Sequence, residues 1–304
     1  MGISSITGNR PWHGQVRLNF RGVDDGGQAR TVHQGAASAP LKLQRAFPQA
    51  DGRCELPLLH TAGGLVGGDQ LSITTTLAPG SRALLTSVAA QKIYGSIGRF
   101  RQAPEGLWAR QNLHFTLEEG ADLEWLPQEV VVYANGLFEQ HCRVELAPEA
   151  SFLGGEVVRL GRTAAGEGLG SGRWRSALEI RRHRAEGSDW VLVDRIELGG
   201  RALEGEHGLA GSPVHGSLVW AAPDSLTPTA LATLVESCRA DRNGLDGEMA
   251  CGTLSQGLVA RYRGPSSQAA RYWFSRIWAR IRAVRGLPPP QLPRVWPFQE
   301  QPLL

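Results

Sequence analysis

Four side chains in this sequence have the type and setting to handle a divalent ion: His60, Asp69, Glu124 and Glu129. Asp69 closes the run Gly63-Gly64-Leu65-Val66-Gly67-Gly68. Its carboxylate can contact a hard or borderline ion, or cap the loop by accepting from backbone amides. His60, on the strand entering that loop, is either an imidazole ligand or a hydrogen-bonded core histidine. Glu124 and Glu129 flank Trp125-Leu126-Pro127-Gln128 and are expected to be partly buried, where a carboxylate must be paired or hold a cation. We read them as lining a polar passage that holds an ion weakly, with a salt bridge to arginine as the alternative. Five residues apart on a bent strand, they have no fixed separation, so glycosidase-type acid and base roles do not follow.

Other chemistries find no motif. Gly68 is followed by an acid and then a strand, which fits neither a phosphate loop nor a dinucleotide turn. Gly-x-Ser-x-Gly, His-Glu-x-x-His and Ser-x-x-Lys are absent, which leaves an all-β hydrolase with a carboxylate site at Glu124 and Glu129 as the enzymatic alternative. Cys54, Cys142, Cys238 and Cys251 are widely spaced and read as small buried hydrophobes, with neither a zinc nor a redox pair. A net charge of +3 over 304 residues creates no field that draws nucleic acid or a membrane. Arg271, Arg276, Arg280, Arg282 and Arg285 make the last helix basic, and their scatter opposite its apolar side reads as a solvated face. Trp273, Trp278 and Trp296, beside a proline-rich tail, read as a protein-docking surface.

The elements that must position these groups are mostly strands. Val16, Leu18 and Phe20 alternate with polar residues, as do Leu71, Ile73, Thr75 and Leu77, the period of a half-buried strand. Turn chemistry at Asp24-Asp25-Gly26-Gly27, Ala78-Pro79-Gly80, Glu118-Glu119-Gly120 and Asn135-Gly136 predicts hairpins at each point. Val130 to Tyr133 is expected to be buried on both faces, and 199–213 reads as a long mobile loop. Helices come late. Thr227-Pro228 opens one with Leu231, Leu234, Val235 and Cys238 on its apolar side. Ser266 or Ser267 opens another, carrying Phe274, Ile277, Trp278 and Ile281 and ended by Gly286.

The predicted class is mainly β, a large platform of stacked sheets with a small C-terminal appendage of about two helices. We assign one domain over 1–304: a β body of about 12–222, an appendage with a returning strand at about 227–286, and a proline-rich tail at 287–304. No run of about eighteen apolar residues could span a membrane, and the N-terminus lacks a signal core, so a cytoplasmic chain is expected.

The segment Leu58-Leu59-His60 through Gly63-Gly64, Gly67-Gly68 and Asp69 resembles that of the UreD/UreH family of urease accessory proteins. The likeness continues in order through Leu123 to Glu129, Leu160-Gly161-Arg162 with Gly166-Glu167, Gly257 to Tyr262 and Pro293-Arg294-Val295-Trp296. Thr61-Ala62 and Arg45-Ala46-Phe47-Pro48 depart from the family's pattern. The resemblance implies a β-rich fold and a non-catalytic role in inserting nickel into urease. It implies partners in UreF, the GTPase UreG and the urease apoprotein, and transient nickel(II) with no tightly bound cofactor. A conduit of that kind needs weak, dispersed ligands, because a tight preformed site would trap the ion.

Overall fold

The computed structural model of the chain describes residues 11–224 and 226–296. The N-terminal segment before them, and the end of the proline-rich tail, lie outside the described residues. The first strands are β1 (His13–Asp25), β2 (Gln28–Ala37), β3 (Leu41–Leu43), β4 (Phe47–Pro48), β5 (Cys54–His60) and β6 (Gln70–Leu77). Next come β7 (Arg82–Ser87), β8 (Gln91–Ile93), β9 (Ala109–Leu117), β10 (Asp122–Trp125), β11 (Val130–Val132) and β12 (Leu137–Leu146). The chain continues with β13 (Ser151–Leu160), β14 (Arg173–Arg184), β15 (Gly187–Leu198), helix α1 (Arg201–Glu204) and β16 (Val214–Ala221). It closes with α2 (Pro228–Ala240), β17 (Glu248–Leu254), β18 (Gly257–Gly264) and α3 (Ser267–Val284).

These strands form two sheets. One has seven strands in the order β15-β14-β12-β9-β6-β1-β2. The other has eleven, with the main path β17-β18-β16-β13-β10-β7-β5-β3. The chain crosses between them at nearly every turn, β6 to β7, β9 to β10, β12 to β13. Each coil therefore adds one strand to each sheet, and the central pairings are parallel. The chain bonds back on itself as a hairpin at β1–β2, β14–β15 and β17–β18.

Three expected hairpins are corrected by this winding. The turns at Ala78-Pro79-Gly80, Glu118-Glu119-Gly120 and Asn135-Gly136 all exist, but the strands they join belong to different sheets. The reason is visible in the burial patterns. Strands of the seven-stranded sheet alternate, as in β6 and β9, because their outer face meets water. Inner strands of the eleven-stranded sheet are buried on both faces, as in β10 and β16. They form the middle layer, with the other sheet on one side and helices on the other.

Two apolar cores follow. Phe20, Phe115, Phe138, Phe152 and Trp174 pack between the sheets. Trp220, Trp273, Phe274, Trp278 and Ile281 pack between the middle sheet and α2 and α3. The helix boundaries agree with the sequence: Ala230 N donates to Thr227 Oγ1 (3.3 Å), and Ala269 N to Ser266 Oγ (3.1 Å). Gly286 at φ +65° ends α3 in the left-handed region that glycine tolerates. Two details differ from expectation. Residues 199–213 hold the short helix α1 and the buried Leu209, and β17 forms where no strand was read. Among the described residues, no helix is long and apolar enough to cross a membrane.

Candidate functional site

The four expected ligands are not gathered together. Asp69 is buried, and its two oxygens accept from Trp12 N (2.8 Å) and Val66 N (2.9 Å), so its carboxylate clamps the glycine loop to the segment before β1. Gly64 must remain glycine within that loop: at φ +153° a Cβ would lie 2.6 Å from the Tyr94 ring and 2.8 Å from Lys92 O. Asp69→Ala is expected to lower stability by about 1–3 kcal/mol, the cost of stranding buried amides. Urea unfolding, with faster hydrogen exchange at Val66 and Trp12, checks this.

Glu124 is committed elsewhere. It is buried and accepts from Arg282 Nε (2.8 Å), Arg282 Nη2 (2.6 Å) and Trp278 Nε1 (2.7 Å). These three hydrogen bonds tie both of its oxygens to the helical layer. Glu129 pairs at 3.6 Å with Arg271. The tryptophans expected at a docking surface are core: Trp273 and Trp278 are 0% exposed and Trp296 5%. Their indole N–H groups donate inward, to Cys238 O, Glu124 Oε1 and Thr86 Oγ1. Likewise Arg271 and Arg282 of α3 are buried against the middle sheet, so its arginines are not all on a solvated face. Among the described residues no three His, Cys, Asp or Glu side chains group as a ready metal site.

His60 leads to a different place. Its Nδ1 lies 3.5 Å from Gln91 Nε2, and its Nε2 is buried without a hydrogen-bond partner among the described residues. Burial holds the imidazole below its ordinary pKa, so it is neutral and ligand-competent at neutral pH. The ring lines a cavity of about 60 Å³ between the sheets, shared with Gln91, Gln111, Gln128, Gln140 and Glu156.

This cavity belongs to a polar belt that cuts across the apolar inter-sheet core. Strand register builds it. On the seven-stranded sheet Gln111 pairs with Gln140, and Gln140 with Ser176. On the middle sheet Glu156 pairs with Ser217, and Ser217 with Arg261. Within the first row Gln111 Nε2 donates to Gln140 Oε1 (3.4 Å), and two hydrogen bonds join the rows, Gln140 Nε2 to Glu156 Oε1 (2.6 Å) and Ser176 Oγ to Glu156 Oε2 (2.9 Å). Arg261 closes the far end by donating to both Ser217 and Asp194.

Glu156 is the centre of the belt. It lines the first cavity and two more of about 30 Å³ each, one beside Ser176, Asp194 and Ser217, the other beneath α3 beside Arg271 and Trp278. Each is roomy enough for water, which needs about 10–15 Å³. The third cavity exists because the middle sheet is open there. Strand β13 pairs with β10 over Ser151–Gly154 and with β11 over Val158–Leu160, leaving Gly155, Glu156 and Val157 unpaired on that edge. Leu126 to Glu129, broken by Pro127, passes across the gap. Glu156 is half-buried and lines all three cavities. Among the described residues it has no ion-pair partner. Burial therefore raises its pKa to about 7, with Asp194 adding to the rise and Ser176 and Arg261 opposing it. An unpaired buried carboxylate near neutrality can release its proton when a cation replaces it.

The sequence reading missed this residue, although the signal was present: Glu156 is an acid inside the apolar run Ser151 to Leu160. Gln140 was legible too, since it falls on the inward side of the alternation that Cys142, Val144 and Leu146 define.

Comparison with known proteins adds an independent line. Residues 13–297 match the family model described as UreD urease accessory protein. A protein of Synechococcus sp. (strain WH7805), named urease accessory protein UreD, is 63% identical over 297 residues, covering 96% of this chain and 93% of the relative. One of the same name from Prochlorococcus marinus (strain MIT 9303) is 60% identical over 299 residues, covering 97% and 100%.

Proposed function

We propose, from the premise that this chain belongs to the UreD family of urease accessory proteins, that it serves urease maturation by passing nickel(II) toward the apoenzyme through its inter-sheet polar belt. The observation that carries the reading is Glu156: a half-buried carboxylate with only neutral hydrogen-bond donors among the described residues, at the junction of three small cavities. Its oxygens, with the amides of Gln128 and Gln140 and the neutral imidazole of His60, supply hard and borderline ligands in loose succession. The proton held by Glu156 leaves as the ion arrives, and returns as the ion moves on. Weak ligation at each station keeps the cargo moving. The role is non-catalytic: no bond is made or broken in the cargo.

In this reading UreF and the GTPase UreG are the partners that load the ion, and urease is the acceptor. The test is co-expression of urease with UreF, UreG and this chain or without it, followed by pull-down and by nickel analysis of the purified urease. Urease from cells with this chain should carry nickel and activity, and urease from cells without it should lack both. Equal nickel content in the two preparations would remove the reading. Turnover of a substrate by the purified chain alone would favour the hydrolase alternative instead.

A further inference from the structure

One group in the belt has the wrong sign for a cation route. Arg261 of β18 reaches across the gap between the sheets and donates to Asp194 of β15 and to Ser217 of β16. It is the boundary between two spaces. Asp194 and Ser217 line the 30 Å³ cavity that also touches Glu156. Arg261 and His215 line an open cavity of about 300 Å³ on the other side, with Glu248, Met249 and Arg263. His215 lies two residues from Ser217 on the same face of β16, its ring centroid 5.6 Å from that of Trp174 and tilted 51° to it. Its Nε2 is buried without a hydrogen-bond partner among the described residues, and the ring is only 9% exposed.

A carboxylate, a hydroxyl and an unpartnered imidazole nitrogen form a donor set suited to a borderline divalent ion. Among the described residues, the cation that Asp194 and Ser217 touch is a guanidinium tethered to the chain. We infer that Asp194, Ser217 and His215 make a latent divalent-cation site at this mouth of the belt, and that Arg261 occupies it as a tethered stand-in ion. The inference rests on the conduit reading for its purpose, though not for its geometry. A conduit must not leak its cargo to water before the acceptor docks. Arg261 can close the mouth reversibly, because its four-bond side chain can swing into the open cavity, where Glu248 offers a carboxylate near Arg263.

The test is nickel(II) titration of the purified full-length chain against a competing chromophoric chelator at pH 7.5. Arg261→Gln is expected to tighten nickel binding at least tenfold, about 1.4 kcal/mol, and Asp194→Asn added to it should return affinity to the wild-type level. An unchanged affinity in a folded Arg261→Gln protein overturns the inference, as does a gain that survives Asp194→Asn. If Arg261→Gln does not fold, Arg261→Met replaces it: it keeps the apolar stem and removes the charge and every donor, so the same gain is expected, and none overturns the inference. Urease activation in cells separates this from the conduit reading. Tighter binding with reduced activation supports both, and tighter binding with normal activation supports the site while taking this mouth off the route. Reduced activation without tighter binding overturns the site and leaves the conduit intact.

Discussion

Glu156→Gln is expected to reduce urease activation in co-expressing cells by at least tenfold while making the protein more stable above neutral pH. The two effects have one cause. Glutamine keeps the shape, its one carbonyl oxygen can accept from Gln140 and its NH2 can donate to the Ser176 hydroxyl, but it cannot ionise, so it neither exchanges a proton for a cation nor suffers burial of a charge. The sign of the pH effect follows from the direction of the shift. The carboxyl titrates at about 7 in the folded protein, against an ordinary value of 4.5. Below pH 4.5 it is protonated in both states and contributes nothing. Between 4.5 and 7 the unfolded chain gives up the proton first, so wild-type stability falls as pH rises, and above 7 the deficit is constant. Its ceiling is about 3 kcal/mol, at about 1.4 kcal/mol for each tenfold change in proton affinity, and water in the cavities lowers it. Urea unfolding of both proteins at pH 5 and pH 8 checks this, since the other titrating groups cancel in the difference. A variant that activates urease normally would take Glu156 off the route. One that shows no stability gain at pH 8 would mean the carboxylate is better solvated than its cavities imply.

Arg282→Ala should destabilise the fold by about 3–5 kcal/mol, the usual cost of stranding one partner of a buried ion pair. The network it breaks holds the helical layer to the middle sheet. Arg282 forks onto Glu124, and Arg285 reaches Asp122 at 2.6 Å. Arg53 lies between the two acids, 2.7 Å from Asp122 and 3.5 Å from Glu124, and also faces Asp51. These cations hold the Asp122 carboxyl well below its usual range despite burial. Its stabilising contribution is therefore present above the ordinary aspartate range and lost as acid protonates it. The double variant Glu124→Leu/Arg282→Leu should recover most of the lost stability, because it removes both charges and their desolvation cost together. Chemical denaturation of the three proteins decides the matter. A single variant costing under about 1 kcal/mol would show that water reaches Glu124 and screens it.

That network also explains where sequence reading went astray. The sequence marks Glu124 as a carboxylate that burial obliges to find a partner, and the structure supplies one in Arg282. The partner lies 158 residues away on a helix whose arginines looked solvated. A helical wheel separates apolar from charged positions, but Arg271 and Arg282 sit at the edges of the apolar side, where a long stem can bury and its head can find an acid in another layer. The tryptophans misled in the same way. Their large apolar area fits an interface or a core equally well, and only the presence of the middle sheet beneath α3 decides for the core.

What the residues determined alone was local: strand periods, turn positions, the Thr227 and Ser266 caps, the glycine-bounded loop at Asp69 and, through ordered motifs, the family. Each rests on neighbours within a few positions, so the chain carries that information in short words. Which sheet each strand joins was decided only in three dimensions, because a four-residue turn closes a hairpin or crosses a core with the same chemistry. The polar belt depends on that decision. Gln111, Gln140, Glu156, Ser176, Ser217 and Arg261 come from six strands and meet only once parallel register in one sheet and antiparallel register in the other line them up, and the opening beside Glu156 exists only because β10 and β11 leave three residues of β13 unpaired on their edge.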